Sequence, residues 1–178
     1  MIVHSRTQQA GFTLLEILVV LIIVGLLAAL AVFTMGGSSQ QRELKNEVRD
    51  LYLLMQTASE QAVVNNLELG LLLEPDSYQF VAFQDETGDW KASGERLFRE
   101  RSLPDWLVVT EFVEGDAPRL ASAEDELRPD VVFFSSGETT PFEIEFTIGK
   151  NNDYVHVLAS DGFSPIEWRQ PGDEEAEL

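Results

Sequence analysis

The chain has 178 residues, no cysteine, and 31 acidic against 12 basic side chains, a formal charge of −19. Without cysteine there is no disulfide framework, thiol nucleophile or thiolate metal site. So acidic a chain also argues against a broad nucleic-acid face, which needs clustered Lys and Arg. The length suits one membrane segment followed by one globular domain of about 145 residues, enough to bury a core without staples.

The first element is the run from Phe12 to Phe33. Between Ile17 and Phe33 it carries no charge, and Gly25 is the one residue without an apolar side chain. As a helix the run would rise about 33 Å, the thickness of a bilayer core. A helix apolar on every side is hard to cover in a small protein, so a membrane segment is expected. Flanking charge does not orient it, because Arg6 precedes the run while Arg42, Lys45 and Arg49 follow it.

Two processing readings compete. In one, the run is a conventional cleavable signal ending at the A-x-A pattern of Ala29–Ala31. Its length and the acid at Glu16 both count against that. In the other, the cut falls between Gly11 and Phe12 and the helix is retained. An ionised carboxylate within a bilayer helix costs roughly 2.5–3.5 kcal/mol, and the run holds no Lys or Arg to offset it. Cutting after Gly11 places a new amine at Phe12, four residues before Glu16 and on the same helical face. A carboxyl held near the interface, protonated or snorkelling, is the plainer account of the same residue.

The stretch "GFTLLEILVVLIIVGLLAAL" resembles the processing site and N-terminal helix of type IV prepilin-like proteins. The resemblance implies a polar leader, residues 1–11, removed by prepilin peptidase. Phe12 then becomes the N-methylated first residue, and Glu16 is the acid of the fifth mature position. It also implies the orientation that charge does not supply, with the leader in the cytoplasm. The leader "MIVHSRTQQAG" departs from the pattern in lacking a basic residue just before Gly11.

After "GGSS" (Gly36–Ser39), a local weakness in any helix, apolar residues recur at alternating steps of four and three. Leu44, Val48, Leu51, Met55, Ala58 and Ala62 form one stripe, with Arg42, Glu43, Lys45, Glu47, Arg49 and Asp50 on other faces. The pattern predicts an amphipathic helical continuation over 34–70 that covers the chain's own sheet rather than a coiled-coil partner. Asn65, Asn66 and Gly70 are its expected stop signals.

Strands follow over 71–170. "LGLLL" and "YQFVAF" flank "EPDS", "FQDETGDW" turns before Trp90, and "WLVVTEFV" and "VVFF" read as buried strands. Between the last two lies the polar "EGDAPRLASAEDELRPD", an expected exposed loop. "PFEIEFTIG" alternates, with Phe142, Ile144, Phe146 and Ile148 on one face and Glu143, Glu145 and Thr147 on the other. "GKNND" then turns into "YVHVLA", a hairpin. The tail 171–178 is acidic and unpatterned. Helix first and strands after indicate an α+β fold with antiparallel sheet.

"VVFFSSGETTPFEIEFTIG" followed by "YVHVLASDGFSPIEW" resembles the C-terminal part of the H-type minor pseudopilins of bacterial type II secretion, a layout shared with minor pilins of type IV pili. It implies a pilin-like fold, in which a long helix (half membrane-embedded, half amphipathic) packs on antiparallel sheet. It further implies an inner-membrane anchor with a periplasmic globular domain. The implied partners are other minor pseudopilins and the major pseudopilin, prepilin peptidase and the inner-membrane assembly platform, with no nucleic acid.

Catalytic chemistry finds little support. Outside the leader His156 is the single histidine, in an apolar alternating strand, and no nucleophile signature such as G-x-S-x-G occurs. One His without Cys is a poor basis for zinc. Asp85 and Asp89 of "DETGD" lack EF-hand spacing, Glu143 and Glu145 read as the wet face of a sheet, and Trp90, Trp106 and Trp168 as packing residues. No catalytic residue, metal or cofactor is therefore expected. The functional positions that the resemblance implies are Gly11 and Phe12 for cleavage, Phe12 for methylation and Glu16 for assembly. The reading that follows is a non-enzymatic minor pseudopilin near the tip of a pseudopilus. The alternatives are a minor pilin of a type IV pilus or DNA-uptake machine, and an exported enzyme with a conventional signal.

Overall fold

The structure, a computed structural model, describes residues 14–113 and 127–173. The expected leader 1–11, most of the polar loop and the end of the acidic tail lie outside them. The chain divides into two units, Met1–Ser39 and Gln40–Leu178. Helix α1 is assigned over Leu14–Asn65, without interruption at Gly36–Ser39.

In the second unit, α1 buries the stripe that the sequence spacing marks. Leu44, Val48, Met55, Ala58 and Ala62 are fully buried, and Leu51 and Leu54 nearly so. Steps of three and four keep these side chains on one line of a 3.6-residue helix. The helix ends in two paired hydrogen bonds, Leu67 N to Ala62 O at 3.1 Å and Asn66 N to Val63 O at 3.4 Å. Asn66 lies between them at φ 51. This is a Schellman terminus with asparagine in the left-handed position, and it satisfies two of the last carbonyls.

The expected helical span 34–70 is therefore too long. Helix stops at Asn65, and Gly70 lies inside strand β1 (Leu69–Leu73). Its glycine is required for space rather than for a turn. A Cβ built there would stand 2.5 Å from Pro129 Cβ and 3.1 Å from Trp90 Cζ3.

The strands form two antiparallel sheets. The first has order β3-β2-β1-β6, from β3 (Asp89–Ala92), β2 (Ser77–Gln84), β1 and β6 (Val131–Phe133), with the short β4 (Arg101–Ser102) pairing β2. The second has order β5-β7-β8-β9, from β5 (Leu107–Val113), β7 (Phe142–Ile148), β8 (Asn151–Ser160) and β9 (Glu167–Arg169). Leu69, Leu71, Tyr78, Phe80, Val131 and Phe133 of the first sheet share one core with Phe142, Ile144, Phe146 and Leu158 of the second and with the α1 stripe. The reverse face of the first sheet has its own small cluster, Val81, Trp90 and Val132, and Gly70 pairs with both Val81 and Val132. Trp90 and Pro129 thus settle on the flat spot that a missing side chain leaves.

Strand β7 alternates as expected up to Phe146. There the register slips: Phe146 faces His156 but Ile148 faces Asn151. Thr147, expected on the wet face, is buried at the irregularity, and its hydroxyl donates to the Gly149 carbonyl at 3.2 Å. A bulge re-aims side chains in this way because it breaks the two-residue period.

Gly70→Ala is expected to destabilise the protein by about 1–3 kcal/mol, because Pro129 is a rigid ring and cannot swing aside. Gly94→Ala, where nothing stands within 4 Å, is its control. Urea midpoints by circular dichroism test the pair, and equal midpoints would refute the steric account.

Candidate functional site: the apolar helix and the buried polar groups of the sheet

Unit one offers a helix with no hidden face. From Leu14 to Leu27 every large apolar side chain is exposed, from 46% at Val19 to 91% at Leu14. Glu16 stands in the first described turn, exposed as well. A helix apolar around its whole circumference needs lipid or other helices as its surroundings. Among the described residues no helix is long and apolar enough to cross a membrane. The described side chains of this run stop at Leu27, after about 21 Å of helix. Of the expected span 12–33, Phe12, Thr13 and the side chains of 28–33 lie outside the described residues. So do Gly11 and the Phe12 amine, and of the three positions expected from the sequence Glu16 is the one among the described residues.

In unit two the groups with chemical potential are taken up by packing. His156 is fully buried on the core face of β8. Its Nδ1 accepts a hydrogen bond from the Trp168 indole N–H at 3.2 Å. The rings of Tyr154 and Trp168 lie 5.4 and 5.7 Å from the imidazole, and Tyr52 of α1 stacks at a tilt on Trp168. Burial first, and the Lys45 charge second, push the His156 pKa down to about 4, while Asp173 works weakly the other way. The imidazole is thus neutral at ordinary pH and serves as an aromatic acceptor within the core.

The other sequence candidates are similarly occupied. Asp89 takes a hydrogen bond from the Thr87 hydroxyl and an ion pair with Lys91 at 3.5 Å. Glu143 pairs with Arg169 across the wet face of the second sheet. Trp90 is buried, and Trp106 and Trp168 pack half-buried against the core. No three His, Asp or Glu side chains converge as a metal site among the described residues.

Sequence reasoning missed two charged junctions. At one, Tyr78 of β2 is buried beside Arg101 of β4. Its phenol is pushed up to about 12, chiefly by burial and against the Arg101 charge, with Glu47 and Asp50 of α1 adding to the rise. At the other, Asp130 accepts from the Leu73 amide at 2.7 Å. Burial raises its pKa, and that of Glu111 on β5, where the Asp130 charge adds to the effect. Neither junction leaves a sequence signature, since each joins residues from separate elements.

The family described as Type II transport protein GspH matches residues 47–162, and the prokaryotic N-terminal methylation motif matches residues 6–32. The chain is 31% identical to type II secretion system protein H of Aeromonas hydrophila, over 96% of this chain and 98% of that one. It is 33% identical to the protein of the same name in Pseudomonas aeruginosa, over 86% and 91%. In fold it resembles the minor pseudopilin EpsH of the Vibrio cholerae type 2 secretion system, with a TM-score of 0.62 at 17% identity, covering 74% of this chain and 99% of that one.

The burial of His156 predicts acid sensitivity. Unfolded, the imidazole takes up a proton near pH 6.5, whereas folded it does so only near 4. The unfolded state therefore binds the extra proton between those values, and stability falls by about 3 kcal/mol as pH drops through the window. Raised carboxylates such as Asp130 and Glu111 act in the opposite sense, so the comparison must be with a variant. His156→Phe is expected to flatten the fall in urea midpoint between pH 6.5 and 4. Parallel profiles would show that His156 is not held neutral.

Proposed function

Because this chain belongs to the Type II transport protein GspH family, we propose that it is a minor pseudopilin: a structural, non-enzymatic subunit near the tip of the type II secretion pseudopilus. The observation that carries this reading is the helix exposed and apolar on every side, lying within the methylation-motif match and followed by a globular unit that the GspH match covers over residues 47–162. In this reading prepilin peptidase cuts between Gly11 and Phe12 and methylates the new amine. Residues 12–33 hold the protein in the bacterial inner membrane, with the globular unit in the periplasm. On assembly, contacts with neighbouring helices replace contacts with lipid, which is as apolar as they are.

Glu16 is the recruiting residue. Its carboxylate is costly in hydrocarbon by roughly 2.5–3.5 kcal/mol unless paired. The amine of Phe12 on an adjacent subunit meets that need, and the pairing favours the filament over the dispersed membrane state. The partners are the other minor pseudopilins and the major pseudopilin, with the inner-membrane assembly platform driving extraction. Of the readings open at the level of sequence, family membership favours this one over a minor pilin or an exported enzyme.

Two measurements test the proposal. The mature N-terminal peptide from cells is expected to begin at methylated Phe12; a start at Val32 would return the segment to a conventional signal. Glu16→Ala is expected to leave leader cleavage intact while incorporation into sheared filaments falls about tenfold or more. Wild-type incorporation with the variant as sole copy would remove Glu16 from assembly.

A further inference from the structure

The chain displays a phenylalanine on a rigid mount. Phe163 is 80% exposed, yet the backbone that carries it is tightly held. Asp161 Oδ1 accepts from the amides of Phe163 at 2.9 Å and Ser164 at 2.7 Å, and Oδ2 from the Ser164 hydroxyl at 2.9 Å. Gly162, buried at φ +94, donates to Ser160 Oγ at 3.1 Å and accepts from the Thr139 amide at 2.8 Å. A side chain at 162 would stand 2.9 Å from the Thr139 carbonyl. A ring of this size in water forgoes about 1.5–3 kcal/mol of burial. Holding it out on an ordered turn leaves little ordering entropy to lose when it docks.

Val64 (80% exposed) and Val63 (49%) add a second apolar group at the last turn of α1. The β6–β7 turn joins the two groups. A Cβ at Gly137 would lie 3.7 Å from Val63 Cγ2, Ser135 Oγ donates to Glu68 at 2.9 Å, and Thr139 bonds Gly162. The surrounding charge has one sign. Glu60, Glu68, Glu138 and Asp161 lie in segments 58–68, 134–141 and 159–166, which contain no Lys or Arg. A second copy would set the same acids face to face, so self-association here is opposed, and a basic rim is the complement.

We infer that the pole carrying Phe163, Val63 and Val64 is the docking surface for the globular domain of a different filament subunit, one that offers an apolar pocket rimmed by Lys or Arg. The inference rests on the pseudopilin reading and gives it a surface. Phe163 is the anchor, the valines widen the contact, and the acids select the partner against this chain's own copies.

The test uses the full-length chain, as sole copy, in a bacterium with type II secretion from which the native gene for this chain has been deleted. A photo-crosslinking phenylalanine analogue is placed at 163, with Lys91 on β3 as control position. Cross-linking from 163, and not from 91, to a Lys- or Arg-bearing peptide of another pseudopilin is the expected result. Glu138→Lys is expected to lower that yield about tenfold. Phe163→Ser is expected to cut secretion about tenfold or more with leader cleavage and thermal midpoint unchanged. Cross-links to a second copy, or none above control, would overturn the docking surface, as would full secretion by Phe163→Ser. If the unsubstituted chain itself fails to restore secretion, the pseudopilin reading falls first and takes this surface with it.

Discussion

The fold of the globular unit depends on one seam, the line of Leu44, Val48, Leu51, Met55, Ala58 and Ala62 along α1. Each large side chain on it is worth about 1.5–3 kcal/mol in burial. Two alanines at the C-terminal end remove bulk, as close packing of strands on a helix requires. Two sheets share this seam, and their inner faces meet in the same cluster of Phe80, Phe133, Ile144, Phe146 and Leu158. Loss of the helix would leave both sheets with an apolar face in water.

Polar groups inside this arrangement are few and sit at the margins of the seam. His156 is kept neutral between Tyr154 and Trp168, where a charge would be expensive. Tyr78 and Arg101 mark the edge of the first sheet, and Asp130 ties β1 to the segment that leads into β6. Such groups fix which element lies beside which, a task that apolar contacts perform loosely because they have no direction.

Legibility in the sequence followed the range of the interactions. The α1 stripe could be read because a helix repeats locally every 3.6 residues, and β7 because a strand alternates locally every two. The division into two sheets could not, since β1 reaches β6 and β5 reaches β7 across long separations that no local pattern records. Strands β4 and β9, of 2 and 3 residues, are too short to show any period. Gly70 was misread because a glycine after a helix resembles a stop signal, and only the position of Pro129 shows that it makes room. At the N-terminus the case is reversed. The expectation for Gly11, Phe12 and Glu16 rests on their order along the chain, whereas Phe163 carries no signal until burial is known.

The close fit at Gly70 also fixes where the chain enters the first sheet. Pro129 rests on that glycine, the Asp130 amide donates to Leu71 O at 2.8 Å, and its carboxylate holds the Leu73 amide. On the other side of the polar loop, Val113 is fixed opposite Phe142. The chain is therefore clamped where it leaves β5 and again where it approaches β6. Between two fixed points, doubling a connection costs only about 0.6 kcal/mol.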